Sequence, residues 1–156
     1  EMLVNYVEAL LNIYPSCKAV VFETSKKMLT REDILNCTLP KEMRFLHYAV
    51  NIRFFNIQGT NDMLVDSLGM STLFLPDVQY HFHGLNPNDV VNHAYNVLSY
   101  IYDNDNPIED GNTIVGITDG NMNSDIKWKV QYEDSLIQPI REVIDINMGE
   151  YASGNR

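Results

Sequence analysis

Two histidines two positions apart, His81 and His83 in the run Val-Gln-Tyr-His-Phe-His, carry the side chains best suited to metal or proton chemistry. On a strand both rings point to one side, opposite Tyr80 and Phe82. A third group such as Asp66, Asp77 or His93 would complete a nitrogen and oxygen ligand set of the kind zinc takes. A histidine pair without a third ligand at fixed spacing also fits solvent-facing or hydrogen-bonded rings. No metal is therefore assigned, and His81 and His83 stand only as weak candidates.

The acids upstream raise a second chemistry. Asp66 lies in Met-Leu-Val-Asp-Ser-Leu-Gly, where burial would shift its pKa and fit it for general-base work. The plainer expectation is that it shapes the turn by accepting backbone N–H groups. Asp77, after Pro76, reads in the same way. Arg53 and Arg141 fall on expected strands among apolar neighbours, where a guanidinium needs a partner. Internal pairing with Asp66, Glu133 or Asp145 is one reading, and binding of a substrate carboxylate or other anion is the sharper one. The candidate polar site is thus Asp66, Asp77, His81, His83, Arg53 and Arg141.

Several reaction classes are excluded by what these motifs lack. The loops starting at Asp103 and Asp119 miss both the central glycine and the distal glutamate of a calcium-binding helix-loop-helix. Asp-Gly turns between strands explain Asp110-Gly111 and Asp119-Gly120 more simply. No serine sits in a nucleophile elbow, no phosphate-binding loop or dinucleotide glycine run occurs, and Ser67, Ser71 and Ser135 have no nucleophile context. No catalytic residue and no cofactor is assigned.

Composition narrows the partners. The 156 residues carry 21 acids against 11 bases, a formal charge of −10. That balance opposes binding to nucleic acid or to anionic membranes, both of which rest on Lys and Arg. A basic protein partner could be steered in, and a homo-oligomer is left open. Cys17 and Cys37 have no CxxC spacing and read as reduced core thiols of a cytoplasmic protein. No apolar stretch is long enough for a membrane helix, and no leader pattern opens the chain. The start at Glu1-Met2, almost directly in a helical pattern, suggests the C-terminal part of a longer chain.

The elements that must position these residues follow from periodicity. Leu3, Val7, Leu10, Leu11 and Tyr14 predict a helix over 2–14, stopped by Pro15. A short strand is expected at 18–23, and a short helix capped by Thr30 with Asp33 runs to Cys37. Residues 45–57 alternate as a strand, paired as a hairpin with a strand from Met63 to Asp66. Asn86-Pro87-Asn88-Asp89 opens a helix to about Tyr102 along Val90, Ala94, Val97, Leu98 and Ile101. Strands are expected at 113–117, 126–132 and 141–146, with Trp128 facing the core and a loose tail at 149–156. One α+β domain over residues 1–148 results, a mainly antiparallel sheet with two principal helices packed on one face.

Several short motifs in fixed order are those of a family. They are Asp66-Ser-Leu-Gly-Met, Leu75-Pro-Asp-Val-Gln79, His83, the Asn-Pro helix start, Asp110-Gly-Asn-Thr-Ile-Val-Gly116, and Trp128 through Glu133 to Pro139-Ile-Arg141-Glu-Val-Ile-Asp145. Over about residues 45–148 the chain resembles the bacterial family catalogued as domain of unknown function 4261. The resemblance implies a bacterial, intracellular α+β domain and transfers no catalytic residues. The chain is also distantly similar to domains with an Asp-Thr-x-Gly-Leu…Leu-Gly-Leu-Pro pattern, some of them suspected immunity or interaction modules. Here Ser67 stands for Thr, Met70 for Leu and Phe74 for Gly.

The function expected from these readings is a non-enzymatic protein-interaction module, immunity-like by that resemblance. The alternative is a small metal-dependent or acid/base hydrolase centred on Asp66, Asp77, His81 and His83.

Overall fold

A computed structural model describes residues 2–154. The chain divides between Asn51 and Ile52 into two compact units, each described in turn.

In the first unit, α1 (Met2–Ile13) buries Val4, Val7 and Leu11, the face its apolar spacing dictates. β1 (Ala19–Phe22) and β2 (Lys27–Thr30) form an antiparallel pair. The short helix α2 (Arg31–Leu35) starts on a capping box in which Thr30 and Asp33 satisfy each other's backbone N–H groups. Arg31 reaches back to donate to the Leu11 carbonyl at 2.7 Å, covering one of the open acceptors at the end of α1.

The strand expected from Phe45 begins later than its aromatic content suggests. Residues 41–49 form α3 (Lys41–Ala49), entered from Pro40, and only then does β3 (Asn51–Asn56) begin. Phe45, Leu46 and Tyr48 are buried on α3, and tertiary burial of that face outweighs their strand propensity.

The second unit is built on a six-stranded sheet in the order β3-β4-β5-β8-β7-β6. Its further strands are β4 (Met63–Leu68), β5 (Asp77–Phe82), β6 (Thr113–Thr118), β7 (Asn121–Asp134) and β8 (Glu142–Asn147). The sheet is mixed rather than mainly antiparallel. After β5 the chain passes through α4 (Pro87–Asp103) to β6 and β7, and β8 then returns beside β5 in parallel. The expectation of two principal helices on one face also needs correction: there are four helices among the described residues, and α4 alone belongs to this unit.

Helix α4 starts as its sequence dictates, with Asn86 accepting from the Asn88 N–H and Pro87 in the first turn. It packs on β4, β5 and β6. Strand alternation and register place Val65, Val78, Tyr80, Val130, Ile144 and Ile146 on one side of the sheet. Tyr80 identifies that side as the one α4 covers, because its hydroxyl bonds to His93 of α4 at 2.9 Å. Trp128 is core-facing, as expected, and its ring meets His93 edge-on at 4.9 Å between centroids.

The Asp119-Gly120 turn joins β6 to β7 with both residues at positive φ, the hairpin geometry expected of that dipeptide. Asp110-Gly111 is a turn leading into β6 and not a strand-to-strand hairpin. Beyond Met148, where a loose tail was expected, a 3-10 turn spans Gly149–Tyr151 and Ser153 N–H donates to the His81 carbonyl at 2.9 Å. Asn155 and Arg156 lie outside the described residues. No helix among the described residues is long and apolar enough to cross a membrane.

Candidate functional site

The face of the main sheet opposite α4 carries a row of buried polar side chains. Asp66 on β4 stands across from Gln79 on β5, which stands across from Asp145 on β8, which in turn faces Gln131 on β7. Asp66, Gln79 and Asp145 are fully buried. Such a row survives only if every member finds partners.

Two arginines supply them for Asp66. Arg53 grips the carboxylate in a fork, Nε to Oδ1 at 2.8 Å and Nη2 to Oδ2 at 2.5 Å. Arg141 adds Nη2 to Oδ2 at 2.9 Å. It also reaches Asp77 through Nε at 3.3 Å and the Ser67 carbonyl through Nη2. The backbone completes the cluster: Arg53 donates to the Gln138 carbonyl at 3.1 Å and Arg141 to the Pro139 carbonyl at 2.9 Å. Bidentate pairing of this kind suits guanidinium and not ammonium.

Asp77 closes the turn after β4. Its carboxylate accepts from the Ser67 hydroxyl at 2.7 Å and from the Met70 and Gly69 N–H groups at 3.3 and 3.4 Å. Ser67 in turn accepts from the Val78 N–H at 3.0 Å. Burial raises the Asp77 pKa above the ordinary carboxylate value, against the opposing pull of Ser67, Arg141 and the two backbone donors.

These positions divide the expected site. Asp66, Asp77, Arg53 and Arg141 come together, and the arginines find Asp66 and Asp77 as partners. Asp66 is mid-strand and ion-paired, so the turn-shaping role expected of it falls to Asp77 alone.

The histidines belong to another group. His81 Nε2 stands 3.7 Å from Asp62 Oδ2. His83, one residue past the end of β5, shares a 3.0 Å hydrogen bond between Nδ1 and the Ser153 hydroxyl. Ser153 also donates to Asp62 at 2.9 Å. The acid bonds to the serine and not to the His83 ring, so the order is not that of a charge-oriented nucleophile. Among the described residues no set of three or more His, Cys, Asp or Glu is placed to hold a metal ion.

Sequence reasoning missed Ser67, Gln79, Asp62 and Ser153 as members of these clusters. Gln79 is the most consequential omission: its amide bonds Asp145 at 3.1 Å and Glu133 at 3.3 Å, and its oxygen accepts from the Leu136 N–H at 2.7 Å. A glutamine between two β-branched or aromatic neighbours in a central strand was the available signal.

Two open concavities of this unit are lined by other residues. A groove of about 320 Å³ runs between α4 and β6, lined by Asn96, Val97, Tyr100, Ile114, Val115 and Met122. A second, of about 330 Å³, is bounded by Asn86 and Asp89 of α4, the Thr118–Gly120 turn, Glu150 and Tyr151.

A mixed-sheet α+β unit, with one long helix on one face and a self-satisfied acid and arginine cluster on the other, defines the class. Within it, the chain belongs to the family described as Domain of unknown function (DUF4261), whose model matches residues 66–147. No curated protein and no solved structure matches the chain.

Proposed function

We propose that this chain is a non-enzymatic protein-interaction module with a contact surface centred on Phe74. The observation that carries the reading is the state of that residue. Phe74 is 99 % exposed and sits at φ 59°, in the left-handed region. A non-glycine residue there costs about 1–2 kcal/mol, and a fully exposed ring adds nothing to the core. Strain and apolar exposure retained together fit a binding anchor, since aromatic rings dominate interface energetics.

The surroundings support it. The loop before β5 and the loop before β8 lie at the same end of the sheet, because β5 and β8 run parallel from Asp77 and Glu142. Leu136 and Ile140, both about half exposed, extend the apolar surface on the second loop. Arg141, through Ser67, Asp66 and Asp77, ties the two loops to one another. The acid and arginine cluster then acts as the frame of the surface.

The hydrolase alternative gains no such support. Its four side chains fall into two groups, Asp66 with Asp77 and His81 with His83, and neither groove described above is lined by Asp66 or Asp77.

The test compares proteins captured from a lysate by the wild-type chain and by Phe74→Gly. A partner retained by the former and lost by the latter, with the variant folded, is the expected result. Equal capture by both, or turnover in an activity screen, overturns the reading.

A further inference from the structure

The sheet order leaves β6 at one edge. An edge strand presents unpaired backbone groups along its outer side, and proteins normally blunt such edges with charge or proline. β6 reads Thr-Ile-Val-Gly-Ile-Thr, with neither. Its one irregularity is the register shift between Val115 and Gly116. Beside it lies the α4 groove, whose floor is apolar: Val97, Ile114 and the half-exposed Tyr100 and Met122.

Charge decides what could cover this edge. Residues 52–156 hold 15 acids and 5 bases, the whole of the −10 excess, whereas residues 1–51 hold six of each. The flanks of β6 share in it: exposed Asp103, Asp105, Glu109 and Asp110 precede the strand and Asp119 follows it, five acids against the two exposed bases, Lys127 and Lys129, that stand across from Val115 and Thr113 on β7. Pairing of two copies edge to edge would bring two such units together against their mutual repulsion.

We infer that the outer edge of β6 receives an extended apolar segment of a basic partner protein, added as a further strand with alternate side chains seated in the α4 groove. Strand addition supplies affinity through main-chain hydrogen bonds, the groove selects side chains, and the acids at both ends of β6 select flanking Lys or Arg. His93 Nε2 meets the Val115 carbonyl at 2.7 Å and pins β6 to α4, so pairing begins from the Thr113 side. This surface contains none of Phe74, Leu136 and Ile140.

The test uses a peptide of alternating valine and threonine flanked by lysine pairs, and the same peptide flanked by glutamates. At a concentration ten times its dissociation constant, the lysine peptide should slow amide exchange at Thr113–Val115 about tenfold. Salt should weaken this effect, and Tyr100→Lys or Met122→Lys should abolish it. Phe74→Gly should leave it intact, which separates this inference from the Phe74 reading. No protection at β6, equal protection by the glutamate peptide, or concentration-dependent self-association through β6 would overturn it.

Discussion

Arg141 Nη2 lies 2.9 Å from Asp66 Oδ2, joining residues 75 positions apart and fixing the start of β8 to the interior of β4. Asp66 is fully buried, and both of its arginines are largely so. Removing its charge leaves two desolvated cations competing for Asp77 and backbone carbonyls. Asp66→Asn is therefore expected to cost about 3–5 kcal/mol, the usual penalty for breaking a buried pair from one side. Urea denaturation measures it, and a loss below about 1 kcal/mol would show the cluster to be solvated.

Phe74→Gly carries a stability expectation separate from binding. Glycine removes the left-handed strain but enlarges the unfolded ensemble, so the variant should be unchanged or up to about 1 kcal/mol more stable. Phe74→Ala keeps the strain and removes the ring, and serves as the control. Thermal unfolding of the three proteins checks this; a marked loss in the glycine variant means that the ring contributes packing that its exposure hides.

Where β8 begins beside β7, Asp134 stands directly across from Glu142. Both are exposed. Like charges at one register position destabilise a pair, and opposite charges favour it by roughly 0.2–1 kcal/mol. Glu142→Lys should accordingly raise the urea midpoint, and less so in high salt. An unchanged or lower midpoint at low salt would mean that Glu142 has a favourable role that the repulsion masks.

How much of this was readable beforehand depended on whether the determining contact was local. The Asn86-Pro87 start of α4 and the Thr30–Asp33 box are short-range devices, and both lie where the residues indicated. The parallel β5–β8 contact joins Asp77 to Val143, and no local pattern encodes which distant strand returns to a given neighbour. Of the three partners expected for the arginines, Asp66, Glu133 and Asp145, strand order delivered Asp66, and it added Asp77, which no local pattern had indicated. Residues 45–49 failed differently: their aromatic residues suit a strand, and burial of Phe45, Leu46 and Tyr48 on α3 decided otherwise.

Gly116 is required for close packing and not for its backbone angle. A Cβ there would fall 2.5 Å from Ile126 Cγ2 and 2.7 Å from Trp128 Cε2. The indole is held against His93 and cannot move freely. Gly116→Ala should cost about 1–3 kcal/mol, the range for overpacking, and should shift the Trp128 fluorescence. Unaltered emission and stability would show that β6 yields at its bulge.

His93 gives the second unit an acid-sensitive point. Burial lowers its pKa below the ordinary 6.5. Val115 O can only accept, so Nε2 carries the proton and Nδ1 accepts from the Tyr80 hydroxyl, which burial keeps protonated. The folded state therefore holds the neutral ring while the unfolded chain takes up a proton near its usual pKa of about 6.5. Stability from this group is full above that pH and falls as the pH drops toward the depressed value. Asp77, whose pKa is raised, acts in the opposite sense, contributing at low pH and losing its contribution as the pH rises through its folded value. His93→Gln isolates the first effect, because the amide can donate to Val115 and accept from Tyr80 without titrating. Unfolding free energies measured between about pH 7.5 and about pH 5.5, one unit above and below the onset, should fall more steeply for the wild type than for the variant. Parallel slopes would place the acid sensitivity in the carboxylates instead.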